Sequence, residues 1–265
     1  MNKQGIKQPI TILKIGGNVI NDSALLGNVL EDFSSIKTPK ILIHGGGKIA
    51  ATLSEKLGIE TKMHEGRRIT DQNTLDIVTM VYAGLINKRI VSLLQKTNCN
   101  ALGLSGADAN AIQTTKRPIN DIDYGFVGNL NINGINESFI TMLLNHDIIP
   151  VFCAITHDKK GQLLNTNADT IASGIANKLA QNYEVRLIYC FEKKGVLLDI
   201  ENEDSFIPKI TTEIYQDLKK KGIIFEGMIP KLDNAFNSIN QGVKEVILCN
   251  PFNIKTLNEK TILCL

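Results

Sequence analysis

The stretch Ile41-Leu-Ile-His44-Gly45-Gly46-Gly47-Lys48 constrains this chain more than any other. Three β-favouring apolar residues run into three glycines and then into the apolar-periodic segment Ile49 to Leu57, a pattern that reads as strand, turn and helix. Glycines there bare backbone N–H groups at a helix N-terminus, whose partial positive charge favours an anion or a charged transition state. In open α/β sheets, ligands bind at loops on the carboxyl ends of strands. A glycine turn also serves simply to let a helix pack close to its strand, so a lone triplet leaves both readings open. A second copy shifts the balance. Ile10-Thr-Ile-Leu-Lys14-Ile-Gly16-Gly17 is another apolar strand ending in glycines, with a lysine in its apolar run where lysine has no packing purpose. Two glycine loops and a lysine point to a phosphate-handling cleft.

Short apolar runs recur at Ile10 to Ile15, Lys40 to Ile43, Ala101 to Leu104, Ile148 to Ile155, Val185 to Phe191 and Glu245 to Cys249, and most intervals hold a helical pattern. Strands alternating with helices predict an α/β fold, a mainly parallel sheet covered on both faces. The 265 residues, 43% of them hydrophobic, suffice for one domain or two lobes. A lobe boundary is expected near Gln181 to Tyr183, giving lobes of 1–181 and 182–265. The longest helix is expected from about Thr74 to Leu94. Its apolar stripe is wider than one sheet face needs, which fits either a deeply buried helix or a homodimer seam. Residues 111 to 133, split by Pro118, Gly125 and Gly128, read as a β-hairpin excursion over the cleft.

Further residues bear on chemistry. Asn165-Thr-Asn167-Ala-Asp169 leads into a helical segment, where Asp169 reads either as an ordinary N-terminal helix residue or as a carboxylate aligning the lysines of the cleft. Glu226-Gly-Met-Ile-Pro230-Lys231 places a proline in the first turn of another helix, with Lys231 beside it, either solvated or in the site. Arg67 and Arg68, in a loop with Gly66 between two helical segments, suit a carboxylate, which a guanidinium fork grips with two hydrogen bonds.

Composition narrows the function. With 29 basic and 27 acidic residues the net charge is +2, so no global field draws the protein to nucleic acid. Lys219-Lys-Lys221 closes a polar helical stretch, where cations complement the helix dipole. No apolar run approaches the roughly 20 residues of a spanning helix and the amino end lacks a secretory segment, so a cytoplasmic protein without a membrane partner is expected. Five scattered cysteines without a C-x-x-C pair read as buried thiols, and no metal site is expected. Neither a Walker loop nor a dinucleotide fingerprint occurs. His44 to Gly47 and Gly103-Leu-Ser105-Gly-Ala107 approach a hydrolase's oxyanion loop and nucleophile elbow. That reading needs a triad histidine, which His146 or His157 would supply only by coincidence of folding, and it leaves Lys14 and Lys231 without work.

From Ile10 almost to the carboxyl end the chain resembles the amino acid kinase family, in its N-acylglutamate branch. The resemblance rests on motifs in one order: Lys14-x-Gly16-Gly17, His44-Gly-Gly-Gly47, Gly66-x-Arg68-Ile-Thr70, Ala83-Gly-x-x-Asn87-Lys88, Gly103-Leu-Ser-Gly-x-Asp108, Gly125-Phe-Val-Gly128, Asn165-x-Asn-Ala-Asp169 and Gly227-Met-Ile-Pro-Lys231. It implies a three-layer αβα sandwich around a mainly parallel sheet, with an amino-acid and dimerisation lobe first and an ATP lobe last. The implied activity is ATP-dependent phosphorylation of the side-chain carboxylate of N-acetyl-L-glutamate to the acyl phosphate, in arginine biosynthesis. N-succinyl-L-glutamate is the alternative acceptor. A non-catalytic amino-acid-binding regulator is the alternative of another class, which should have lost a lysine or Asp169; none is lost.

By the same resemblance Lys14 and Lys231 stabilise the transferring phosphoryl group and Asp169 holds them. Gly46 and Gly47, with Gly16 and Gly17, offer N–H groups to phosphates and carboxylate. Arg68 and Asn165 grip the α-carboxylate and acyl-amino group, Glu192 and Gly195 belong to the ATP site, and magnesium arrives with ATP. Three departures stand out. Phe191-Glu192 replaces the family's usual Thr-Asp or Ser-Asp, Arg67 replaces an aliphatic residue, and only about nine residues precede the first strand. The short amino end fits the arginine-insensitive, homodimeric kind. Arg67 is the cation a succinyl carboxylate would need, although neighbours in an extended segment point to opposite sides.

Overall fold

Long apolar runs can be buried on both faces of a sheet only where helices cover both, and the chain folds that way. The computed structural model describes residues 7–64, 67–119, 121–224 and 228–265, the side chain of Pro230 excepted. Gly66, Glu226 and Gly227 of the motifs above lie outside the described residues.

The central sheet contains β1 (Gln8–Ile15), β2 (Lys40–His44), β5 (Ala101–Leu104), β8 (Ile149–Cys153), β11 (Tyr183–Cys190), β12 (Lys209–Ile210), β13 (Glu245–Cys249) and β14 (Thr261–Leu263). Their order is β12-β14-β13-β11-β1-β2-β8-β5, and every neighbouring pair is parallel except β13 with β14. The strands before residue 182 make one half of this sheet and those after it the other, meeting at the β1–β11 pair. All five residues of β2 are buried. On β1, Lys14 interrupts a buried run from Ile10 to Ile15.

The helices are α1 (Gly17–Asn21), α2 (Ser23–Ser35), α3 (Gly47–Lys56), α4 (Gln72–Thr79), α5 (Asn87–Lys96), α6 (Glu137–Asn145), α7 (Ala168–Leu179), α8 (Thr212–Lys220) and α9 (Ile229–Asn240). Helices α1 to α5 pack among themselves, and α7 packs on α9, so the sheet is flanked by helices in the expected three-layer arrangement. Asp22 caps α2, Asp71 caps α4 and Asn167 caps α7, each side chain accepting from backbone N–H groups of the first turn.

The structure refines several expectations. The long helix runs over Gln72–Lys96 and widens into a π-helical segment at Met80–Ile86. By length and composition it would pass for a membrane span, contrary to the sequence expectation. Here it is a core helix, with Leu75, Ile77, Val78, Val81, Ile86, Ile90 and Leu94 buried. The run Ile148 to Ile155 is two strands. The chain leaves the central sheet at Ala154, whose carbonyl accepts from Thr166, and continues as β9 (Ile155–His157). With β6 (Ile112–Lys116), β7 (Gly128–Ile135) and β10 (Leu163–Asn165) it forms a second sheet in the order β10-β9-β6-β7, so the expected hairpin is the β6–β7 half of a larger unit. Arg67 and Arg68 form β4 (Arg67–Arg68), antiparallel to β3 (Met63–His64), rather than a loop.

Candidate active site

Parallel pairing brings the ends of five strands into one row. Ile15, His44, Cys153, Cys190 and Cys249 end β1, β2, β8, β11 and β13 and are Cα partners across the sheet. Everything that follows these strands therefore opens at one edge. There α1 begins at Gly17 and α3 at Gly47, and Lys48 of α3 donates a hydrogen bond to Asn18 of α1. The two glycine loops are thus neighbours.

Lys14, Asp169 and Lys231 converge beside them. Lys14 Nζ lies 2.7 Å from Asp169 Oδ1, and Lys231 Nζ lies 3.4 Å from Asp169 Oδ2. The Lys14 contact is an ion pair off the hydrogen-bond axis, which leaves Oδ1 with a charge partner but no aligned donor. All three side chains are mostly buried, at 12%, 21% and 18% exposure for Lys14, Asp169 and Lys231. Burial pushes the Asp169 carboxyl up, but the charges of Lys14 and Lys231 outweigh it and hold it below the usual carboxylate value. Burial pulls the Lys231 ammonium down; Asp169 opposes this, Lys14 reinforces it, and the net direction is down. Two cations on one carboxylate leave a net positive charge in a partly dry cleft beside helix N-termini, a setting for an anion. Lys231 also stands over the rings of Tyr189 and Phe191, at 5.6 and 5.7 Å from their centroids.

The second glycine loop links this cluster to Arg68. A Cβ on Gly45 would lie 3.8 Å from Ala168, the residue before Asp169, and one on Gly47 would lie 3.9 Å from Arg68 Nη2. Arg68 donates to the Gly47 carbonyl at 2.9 Å and to Thr61 at 3.1 Å. Asn165, at the end of β10, donates to Thr70 at 3.0 Å, so the two chain segments carrying Arg68 and Asn165 are joined. Gly125 to Val127 pair with Thr70 and Asn165.

Two expected residues sit differently. Glu192 is exposed, and its charge reaches Lys231. Gly195 is buried, and a Cβ there would come 2.2 Å from Thr261 Oγ1, so packing alone demands a glycine at this position. Sequence reasoning missed Thr70 as the partner of Asn165, and Tyr82 and Ile86 as the wall behind Gly46. The first was within the quoted Arg68-Ile-Thr70 motif; the second depends on the π-helical segment. Among the described residues no group of three His, Cys, Asp or Glu side chains gathers to hold a metal ion.

A model of the amino acid kinase family matches residues 9–250. The chain is similar to the acetylglutamate kinase of Cytophaga hutchinsonii, at 52% identity over 258 residues covering 96% of this chain and 97% of that one. It is 51% identical to the acetylglutamate kinase of Phocaeicola vulgatus, over 92% and 94% of the two chains. In fold it is similar to N-acetylglutamate synthase from Neisseria gonorrhoeae, with a TM-score of 0.81 at 18% identity, over 99% of this chain and 61% of that one. Carbamate kinase from Giardia lamblia superposes with a TM-score of 0.69 at 14% identity, over 98% and 99% of the chains.

Proposed function

The chain belongs to the amino acid kinase family, and on that premise we propose that its cleft works through the charges of Lys14, Asp169 and Lys231. The protein is a kinase that phosphorylates N-acetylglutamate with ATP. An oxygen of the side-chain carboxylate attacks the γ-phosphorus of ATP, the bond to the bridging oxygen breaks, and ADP leaves with that electron pair. The nucleophile is already ionised at neutral pH and needs no base. The protein's task is then positioning and compensation of charge around a loose transition state. The observation that carries this reading is the pair of lysines on opposite oxygens of one carboxylate. Lys14 and Lys231 move their charge to the transferring phosphoryl group, while Asp169 holds them in place.

The Gly17 N–H faces the nucleotide's phosphates and those of Gly46 and Gly47 the reacting oxygens. The Gly16 N–H, expected from the sequence to join them, instead donates to the Cys190 carbonyl at 3.2 Å and holds the loop to the sheet. Arg68 grips the α-carboxylate and Asn165 the acyl-amino group. Residues 1–181 form the acylglutamate and dimerisation lobe and 182–265 the ATP lobe, with Glu192 and Gly195 on the nucleotide side. Magnesium fits as a passenger on the ATP phosphates, which supply oxygens for its coordination, because Asp169 is already engaged by two ammonium groups. When bound it would neutralise phosphate charge. Arg67 is exposed, on the other side of a two-residue strand from Arg68, which does not favour the succinyl acceptor.

A structure with ADP, fluoroaluminate and N-acetylglutamate tests this arrangement. Both Nζ atoms should lie within hydrogen-bond distance of the fluorides. Lysines still paired only with Asp169 would contradict the assignment.

The same reading makes this a cytoplasmic homodimer of the arginine pathway. Met80 and Leu85, 56% and 59% exposed, lie five residues apart in the π-helical segment and so share a face, which supports a dimer seam. Light scattering should give twice the 29.2 kDa chain mass, and Met80→Glu should shift it to monomer. A monomeric unmodified protein at micromolar concentration would leave only the buried-helix role.

A further inference from the structure

His44 is fully buried behind the glycine loop, and its two ring nitrogens face partners whose polarity leaves no choice of tautomer. Nδ1 lies 2.8 Å from the carbonyl oxygen of Gly45, which can only accept. Nε2 lies 3.1 Å from Asn87 Nδ2, and the same Nδ2 donates to the carbonyl oxygen of Val151 at 2.9 Å. Because a carbonyl cannot donate, the amide nitrogen of Asn87 must face Val151, and its second hydrogen then points at Nε2. Nε2 accepts, so the ring proton sits on Nδ1 and is given to Gly45. Burial lowers the imidazolium pKa to about 4, so the ring is neutral at physiological pH.

This chain of bonds ends at the loop. The Gly45–Gly46 peptide is trans, so the Gly46 N–H points away from the Gly45 carbonyl. The carbonyl is held toward the buried imidazole, and the N–H therefore faces outward, where it has no partner among the described residues. The wall behind the loop comes from the long helix: a Cβ on Gly46 would fall 2.3 Å from Ile86 Cδ1 and 2.9 Å from the Tyr82 ring. Asn87 follows directly after this π-helical segment, and its Oδ1 occupies the space a Cβ on Gly103 would need.

We propose that His44 and Asn87 are a positioning pair, in which Asn87 fixes the Nδ1–H tautomer of His44 and the imidazole in turn aims the Gly46 N–H at the reacting oxygens. The proposal rests on the reading of Gly46 as a donor to the substrate or transition state. Neither residue touches substrate. Both act through the Gly45–Gly46 peptide.

The test uses two substitutions that keep one nitrogen position each. Asn at position 44 can place its amide near Nδ1 and donate to Gly45, whereas Gln can reach only the Nε2 position. His44→Gln should lower kcat about 30-fold with little change in either KM, as expected for a misaimed donor, while His44→Asn should lower it only about threefold. Thermal midpoints of the two variants should fall together, because both lose the imidazole's packing. Equal kcat losses that track the lost stability would make the pair merely structural and overturn the proposal. Nitrogen-15 NMR of the wild-type enzyme, with its four histidines assigned by substitution, reads the tautomer without any activity measurement. A neutral ring protonated at Nδ1 is expected, and a ring protonated at Nε2 overturns the proposal even if the variants do not fold. Lys14→Ala, assayed alongside, separates the two levels: normal turnover there would mean that the reading of the whole site, not of this pair alone, has failed.

Discussion

The two glycine loops read alike in the sequence and differ in what holds them. Behind Gly46 the fold leaves no room: Ile86 and Tyr82 stand where a side chain would begin, and the backbone takes a φ of 158° and ψ of 20°. At the first loop a Cβ on Gly16 would make an ordinary 3.5 Å contact with the Cys190 carbonyl, and one on Gly17 would meet nothing within 4 Å. The second loop is therefore set by the protein's own interior. At Gly17 only a ligand could demand glycine, because the free protein would tolerate a methyl group. A glycine motif thus carries two kinds of information, and only the packing around it tells them apart.

Gly46→Ala should break the comparison most severely. Overpacking against Ile86 and Tyr82, with backbone strain, should cost about 2 to 4 kcal/mol of stability, and kcat should drop on the order of 10²-fold with the displaced donor. Chemical denaturation and steady-state kinetics measure the two. Wild-type values in both would mean that the wall yields and does not set the loop. Gly17→Ala should show the opposite profile. Stability should stay within about 0.5 kcal/mol of the parent, since the added methyl meets nothing, while the KM for ATP should rise about tenfold, roughly 1.4 kcal/mol, as the methyl holds a phosphate off the backbone. An unchanged KM would place the phosphates elsewhere.

Much of the architecture was legible in the chain because burial on both faces writes parallel strands as unbroken apolar runs. Lys14 stood out for the same reason, as a charge inside the run that leads into the first glycine loop. What could not be read was distance. Lys231 meets Asp169 across 62 residues, and no local pattern announces that contact. The π-helical segment leaves no punctuation in the sequence, yet it brings Tyr82, Ile86 and Asn87 to the loop. The β3–β4 hairpin was invisible because each strand is only two residues long, too short for alternation to appear. Gly195 carries a second constraint that no local pattern shows: a neighbour far along the chain, Thr261, stands where its side chain would begin.

The central claim is that two lysines, aligned by one carboxylate, compensate the charge of the transferring phosphoryl group. The direct measurement is kcat of Lys14→Ala and of Lys231→Ala at saturating ATP and N-acetylglutamate, with thermal unfolding run on the same samples. Each variant should turn over roughly 10² to 10³ times more slowly, the effect of losing one preorganised donor, while remaining folded. Turnover near the wild-type rate in both would contradict the claim.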